Sequence, residues 1–428
     1  MTSQIKETIT IAHKIQLAPN NKAITYFRKA FGCARFAYNW GLSKWKENYD
    51  KGLKKNVLEI KKEFNALKKD QFPFVYDVSK YVVQQPFINL DLAVKKYFRD
   101  LKSKKSSYPQ YKKKSSSKDS FYIGGNVVTI TDKRYIKIPK LGKVKMLEEL
   151  RFSGKIKGIT VSKKNDKYYV SIQMEITKEE YEKTHRVNKN KVMVGIDLGI
   201  KALATLSCGL QIENLKPLEK LYRKLIVRQR QLDKKQHAKT KQDVINGVCL
   251  SKNYIKHSLK LARIHEKISN IRSDYSNKLT TVLVNNFSYI GLEDLSVVDM
   301  LKSSQYSRSI SDVSLSNIKR KILYKATYQG KEVSLVDRFY PSSKTCSKCG
   351  KVKQNLTILD RTFFCNDCGY SIDRDLNASI NILNALKRKL GEVLPKETPV
   401  DLTALLNDFE INHIATSKVE AGIQHKLG

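Results

Sequence analysis

The sequence predicts a mixed α/β protein of several domains, in which a small β domain is interrupted by helices and followed by an α/β unit carrying a cysteine module. Three observations predict it. An alternating strand opens the chain, yet strand-like runs that could pair with it return only beyond residue 119. The second half alternates short apolar runs with long amphipathic stretches, the pattern of strands buried beneath helices. Two Cys-x-x-Cys pairs, Cys346/Cys349 and Cys365/Cys368, then stand with fifteen residues between them. A chain of 428 residues, 41% of them hydrophobic, is long enough for roughly two to four units with real cores.

Taken in order, Thr8 to Leu17 (TITIAHKIQL) alternates apolar and polar residues and ends before Pro19, as a strand does. From Lys22 to about Lys105 apolar residues recur every three or four positions. Tyr26, Ala30, Cys33, Ala37 and Trp40 are one such series; Val82, Phe87, Leu90, Val94 and Phe98 are another, and together they predict three or four packed helices. Lys102 to Lys118 holds seven Lys and no acid, and reads as a mobile basic connection. Its Lys104, Lys105, Lys112 and Lys113 can meet phosphates, and Tyr108 and Tyr111 can stack on bases.

From Phe121 to Glu175 short runs such as YIKIPKLG and KIKGITVS alternate with turn residues, which predicts a small barrel or curled sheet completed by the first strand. Lys178 to Lys191 is charged and unpatterned, a linker. Val192 to Ser207 (VMVGIDLGIKALATLS) is two apolar runs about a glycine-bearing turn, a buried hairpin. Pro217 to Thr281 is basic and helical and predicts an antiparallel helix pair. Val282 to Leu295 and Lys331 to Phe339 read as strands, and Leu376 to Leu390 as the last helix. From Glu397 onward there are five acids, two Lys and no strong period, so residues 392–428 are expected to form a poorly ordered tail.

Lys and Arg number 81 against 41 Asp and Glu, a formal net charge of +40. Such a charge requires a polyanionic partner. Nucleic acid fits better than a membrane surface, because the charge is mixed with 22 Tyr and 15 Phe rather than gathered on one amphipathic helix. No transmembrane run, signal peptide or lipidation signal is present, so the expected setting is cytoplasmic. Seven cysteines, an odd number, argue against a disulfide framework. The two tight pairs instead satisfy a closed, structural tetrahedral zinc, with Gly350 and Gly369 letting the backbone turn beneath the metal. Cys33, Cys208 and Cys249 stand alone and read as small semi-buried thiols.

Three acidic positions carry the candidate chemistry. Asp197 lies inside an apolar run, where a carboxylate is costly unless it is paired or binds a cation. Glu293 ends the run YIGLED beside Asp294, and Asp373 and Asp375 precede the last helix, where either can serve as its cap. Singly, each has a structural explanation. Together, Asp, Glu and Asp at the ends of elements supply what a two-metal nuclease needs, since two Mg²⁺ about 4 Å apart activate water and stabilise the leaving oxygen of a phosphodiester.

The blocks GIDLGIKALATLS, GLEDLSV, PSSKTCSKCG and CNDCGYSIDRDLNASINI, with YFRKAFGCARFAYNWGLSKW near the start, closely resemble those of the TnpB proteins. These are transposon-encoded RNA-guided DNA endonucleases of insertion sequences, related to type V CRISPR effectors. The resemblance spans roughly residues 8–390. It implies a β-barrel wedge domain (residues 1–20 and 119–180) holding a helical recognition domain (21–118), then a RuvC-like nuclease domain of the ribonuclease H fold (190–340 and 370–391) interrupted by a zinc ribbon (341–369). It implies Asp197, Glu293 and Asp375 as the catalytic, magnesium-holding acids, with Asp373 the weaker third candidate, and a structural zinc on Cys346, Cys349, Cys365 and Cys368. The implied partners are a guide RNA from the transposon end and double-stranded target DNA. A short motif beside the target would be read by the amino-terminal helices and barrel, for which Tyr26, Arg28, Lys29 and the basic linker are candidates. Ser296, Val297 and Ser379 depart from the family's usual residues beside these acids, not at them. Two other readings remain: an RNA-guided DNA-binding repressor, and a guide-free RuvC-like structure-specific nuclease.

Overall fold

Alternation in the first strand does what the pattern demands: in β1 (Thr8–Ala18), Ile11, His13, Ile15 and Leu17 are buried while most of the residues between them face out. The structure, a computed structural model, describes residues 7–53, 56–102, 108–114, 118–185, 192–235, 251–302, 310, 312–357, 360–391 and 399–419. The chain divides into two units, Met1–Thr184 and His185–Gly428.

In the first unit β1 pairs with β7 (Lys167–Thr177) along its length and with β5 (Gly142–Met146) at its end; with β4 (Tyr135–Ile138), β6 (Lys155–Lys164) and two outer strands they form an antiparallel seven-stranded sheet of order β2-β6-β7-β1-β5-β4-β3. The outer strands β2 (Ser120–Gly124) and β3 (Thr129–Thr131) are consecutive in the chain, joined by a single 3-10 turn at Gly125–Val127. Seven strands laid flat would span roughly 29 Å, at about 4.8 Å per spacing, and so short a link reaches only about half of that. The sheet therefore curls until its edges approach. At Gly125 the link lies tight against β6, where a Cβ would lie 1.9 Å from the Ile156 carbonyl oxygen. No pairing of β2 with β3 is recorded among the described residues, so the expected barrel is here a curled sheet with an open strand order.

Between β1 and β2 run α1 (Asn21–Asp50), α2 (Val57–Leu67) and α3 (Lys80–Lys102). Asn20 and Asn56 cap the first two, each side chain accepting from the backbone three residues on. Their apolar faces meet in a core that includes Phe27, Leu42, Phe64, Phe87 and Leu90. The expected linker after residue 177 begins as a short helix, α4 (Lys178–Thr184), with Glu179 and Glu180 in its first turn and Tyr181 buried.

The second unit is built on a six-stranded sheet of order β12-β11-β8-β9-β10-β15, β15 being Thr416–Lys418, while β13 (Thr362–Phe364) and β14 (Ser371–Asp373) pair as a separate hairpin. β8 (Met193–Asp197), β9 (Ala202–Leu206) and β10 (Leu210–Glu213) form an antiparallel meander, while β11 (Tyr289–Glu293) and β12 (Glu332–Val336) run parallel to β8 on its other side. α5 (Pro217–Asp233) and α6 (Lys252–Asn286) form the antiparallel arms, followed by α7 (Val297–Lys302), α8 (Leu315–Tyr328) and α9 (Arg374–Leu390). The sheet core gathers Val194, Ile196, Leu279, Leu283, Phe287, Ile290 and Leu292.

Two expectations are corrected. Val282–Asn286 is the last part of α6, not strand, because Val282 and Leu283 continue the buried helical stripe of Leu279. Part of the expected disordered tail is ordered: α10 (Leu402–Ile411) sends Leu405 and Phe409 into the sheet core, Ile414 follows them, and β15 (Thr416–Lys418) pairs with β10. Asp401 caps that helix. Residues 392–398 and 420–428, like Cys249, lie outside the described residues.

Candidate active site

Asp197 and Glu293 end adjacent parallel strands, and each is preceded two residues earlier by a glycine on the same face, Gly195 and Gly291. Those glycines admit α9 against the sheet. A Cβ on Gly195 would lie 2.1 Å from the Ser379 carbonyl oxygen, and one on Gly291 2.9 Å from the Ile382 side chain. Ser379 fits this crossing because its hydroxyl is satisfied within the helix, donating to Leu376 O at 2.8 Å. The close crossing sets the first turn of α9, and with it Asp375, near the strand ends.

The pair of acids before α9 is divided by its hydrogen bonds. Asp373 is the cap, its Oδ1 accepting from the Asp375 and Leu376 backbone at 2.9 and 3.0 Å. Asp375, in the first turn, has its Oδ1 met by Arg374 Nε at 3.3 Å and by a terminal guanidinium nitrogen at 3.2 Å. Asp197 is held well above the usual carboxylate range, chiefly by burial and then by the neighbouring charges of Glu293 and Asp375, with Arg374 opposing. Burial also raises Glu293, against a hydrogen bond from the Ser342 hydroxyl to its Oε1. The rival Asp294 is engaged elsewhere: Lys319 and then Arg338 hold its carboxyl below the ordinary range.

The four cysteines meet as the spacing requires. Cys346 Sγ lies 3.7 Å from Cys368 Sγ, and Cys349 Sγ 3.6 Å from Cys365 Sγ, close to the spacing of about 3.8 Å for sulfurs held about 2.3 Å from a tetrahedral metal. Among the described residues these form the one cluster of three or more His, Cys, Asp or Glu side chains whose ligand atoms all lie within 4.8 Å of one another. Gly350 and Gly369 both take left-handed backbone, with φ of 78° and 67°. Asn377 and Asn381, one turn apart on α9, bind the module's first segment, and the sequence reading missed them although an Asn pair buried in a helix is a visible signal.

The nucleic-acid candidates fare unequally. Tyr26 is buried and structural, its hydroxyl donating to Pro139 O at 3.2 Å and accepting from Ser79 N. Arg28 and Lys29 are exposed, Lys29 being paired with Asp77 at 2.8 Å. Tyr108 is half-buried and packs its ring on Trp45 and Tyr97. Lys112 is pinned by two hydrogen bonds between its backbone and the Asn39 side chain, and its amine lies over the Tyr38 ring. Tyr111 and Lys113 are exposed, and Lys104 and Lys105 lie outside the described residues. Unnoticed in the sequence was a cleft of about 290 Å³ in the first unit, lined by Lys80, Tyr81, Gln84, Val127, Pro139 and Lys140 among others. Among the described residues no helix is long and apolar enough to cross a membrane.

Taken as a class, this is a mixed α/β protein with the fold of the Cas12-type effectors. It superposes with a TM-score of 0.50 and 14% identity on the protein of a Cas12f1–sgRNA–target DNA complex, covering 88% of this chain and 99% of that one. The chain belongs to the TnpB/OrfB family of insertion-sequence proteins. It is 31% identical over 411 residues to the Escherichia coli (strain K12) protein named "Putative RNA-guided DNA endonuclease InsQ", covering 91% of this chain and 96% of that one. A similarly named Streptomyces pristinaespiralis protein is 30% identical, covering 90% of each chain. The family profile described as "Probable transposase" (OrfB, IS605) matches residues 171–304, and a Cas12f1-like TNB domain matches residues 316–382. A helix-turn-helix profile matches residues 9–54, which fold here as β1 and one continuous helix through Asp50.

Proposed function

We propose that this protein is an RNA-guided DNA endonuclease of an insertion sequence, hydrolysing phosphodiester bonds at Asp197, Glu293 and Asp375. The observation that carries the reading is the carboxylate trio at the ends of β8 and β11 and the start of α9: a half-buried Asp197 whose charge is disfavoured by desolvation, by Glu293 and Asp375 and more weakly by Asp373, and offset by Arg374. Such an arrangement is unfavourable unless cations are bound there, and hard oxygen donors suit Mg²⁺. The acids therefore fit Mg²⁺, which when bound supplies an activated water and charge stabilisation at the leaving oxygen. The chain's own part is to hold those donors still. Asp197 and Glu293 are fixed by rigid strand ends, and Asp375 by the glycine-permitted crossing of α9. Arg374 balances charge between turnovers.

On this reading the curled sheet is the wedge domain, α1 to α3 form a recognition domain, the six-stranded unit is a RuvC-like nuclease domain of the ribonuclease H fold, and Cys346, Cys349, Cys365 and Cys368 hold a structural zinc ribbon. The partners are a guide RNA from the transposon end and double-stranded target DNA. The net charge of +40 supports binding of their backbones. Exposed Arg223, Lys224, Arg230 and Lys256 on the α5–α6 arms belong to that basic surface. The cleft at Lys80, Tyr81 and Gln84 combines amines, an aromatic ring and an amide, a donor set able to read a short motif beside the target. Expression with the DNA that flanks the gene, followed by sequencing of co-purified RNA, tests the guided reading. A discrete flanking RNA is expected, and its absence would overturn guidance. A complex that binds a matching plasmid but never cuts it would establish the repressor instead.

A further inference from the structure

One polar chain joins the cysteine module to the carboxylates. Ser347, next to the metal-site Cys346, donates its backbone N–H to Asn377 Oδ1 at 3.0 Å. Asn377 Nδ2 donates to Thr345 O at 2.7 Å, and Asn381 Nδ2 donates to Thr345 O at 2.6 Å and to Ser342 O at 2.8 Å. Thr345 closes the turn by donating from its hydroxyl to Pro341 O at 2.8 Å. At the far end Ser342, itself buried, donates its hydroxyl to Glu293 Oε1. Asn377, Asn381 and Ser342 are each at most 5% exposed. Buried amides and a buried hydroxyl hydrogen-bonded in this way favour one geometry, since the alternatives leave an unpaired polar group in the interior.

The hydrogen bond engages Oε1, one of the two carboxylate oxygens of Glu293. It thereby orients the carboxylate as well as placing it. α9 takes part twice, because the helix that carries Asp375 also carries the two asparagines that hold Ser342.

We propose that Ser342 is a positioning residue for the catalytic Glu293, and that the segment Ser342–Ser347, clamped by Asn377 and Asn381, couples the folded cysteine module to the geometry of the carboxylate site. This inference rests on the reading of Asp197, Glu293 and Asp375 as a divalent-cation site. Groups that orient a metal-binding carboxylate typically govern affinity by about 10- to 100-fold, so loss of the hydroxyl weakens cation binding and leaves the module intact.

The test is direct Mn²⁺ binding, followed by electron paramagnetic resonance, to the zinc-loaded full chain freed of nucleic acid. Parent, Asp197→Ala, Ser342→Ala, Ser342→Thr and Asn381→Ala are compared, with zinc content and thermal unfolding measured on each. Ser342→Ala is expected to weaken the Asp197-dependent Mn²⁺ site about tenfold with one zinc per chain retained, and Ser342→Thr to restore it. Asn381→Ala, which keeps the hydroxyl but frees the carbonyl beneath it, is expected to weaken it as well. Parent-like Mn²⁺ binding by both Ser342→Ala and Asn381→Ala would overturn the inference while leaving the carboxylate site standing. No Asp197-dependent Mn²⁺ binding in the parent would overturn the site itself and this inference with it.

Discussion

Asp373 and Asp375 stand two residues apart and, on the proposed reading, have different tasks, a difference that substitution separates. Asp373→Ala removes the cap of α9 and is expected to cost about 1 kcal/mol in urea unfolding, with cleavage retained. Asp375→Ala is expected to abolish cleavage at little cost in stability. Equal loss of cleavage in both would contradict the assignment. The sequence left these two acids open because both precede the helix, and a cap and a ligand are the same residue type there. Asp197 stands out in the sequence for a physical reason, since an acid in VMVGIDLGI is costly unless it is paired or binds a cation. Tyr26 was not legible as a core residue because a tyrosine beside basic residues looks alike in sequence whether it packs inward or stacks outward; its burial distinguishes the two.

The crossing of α9 over β8 and β11 depends on two glycines. Gly195→Ala would press a methyl group into the Ser379 backbone, and a cost on the order of 3 kcal/mol is expected in urea unfolding, with cleavage lost as Asp375 shifts. A fully stable, active Gly195→Ala would contradict that packing. The α6–α8 contact makes a different prediction. Lys325 donates to Asn277 O and to the Thr280 and Thr281 hydroxyls, and burial, then the charge of Lys321, pushes its amine down to about 7. An unfolded lysine titrates near about 10.4. Between those values the unfolded chain carries a proton that the folded chain lacks, so this site's contribution to stability rises with pH, by up to about 1.4 kcal/mol per unit. The difference in unfolding free energy between parent and Lys325→Met should therefore grow in the parent's favour from pH 7 to 9. A flat difference would show the amine to be charged when folded. Elements with long periods were readable in advance, whereas the short apolar run at Val282 was not, because VLV fits a buried strand and a helix end equally well.

At the scale of the molecule, the order of units was legible because composition changes where the architecture changes, from helical block to short strands to α/β unit. The carboxyl-terminal segment was not, since its few apolar residues make a core only by joining one that lies far away in sequence. Leu405, Phe409 and Ile414 fill the same core as β8 and α6. Ending the chain after Leu390 should therefore lower the melting temperature by roughly 10 °C or more, large buried side chains being worth about 2–5 kcal/mol each. Unchanged melting and cutting would mean that the segment is dispensable. The central claim, guided hydrolysis at the carboxylate trio, is tested most directly by cleavage of a plasmid library that carries the complement of the co-purified RNA beside randomised bases, with Mg²⁺ or EDTA, by parent and Asp197→Ala complexes. The account predicts that the parent cuts only with RNA and Mg²⁺ and depletes one short motif, while Asp197→Ala binds the same plasmids and cuts none. Normal cutting by Asp197→Ala, or cutting by the parent without RNA, would contradict it.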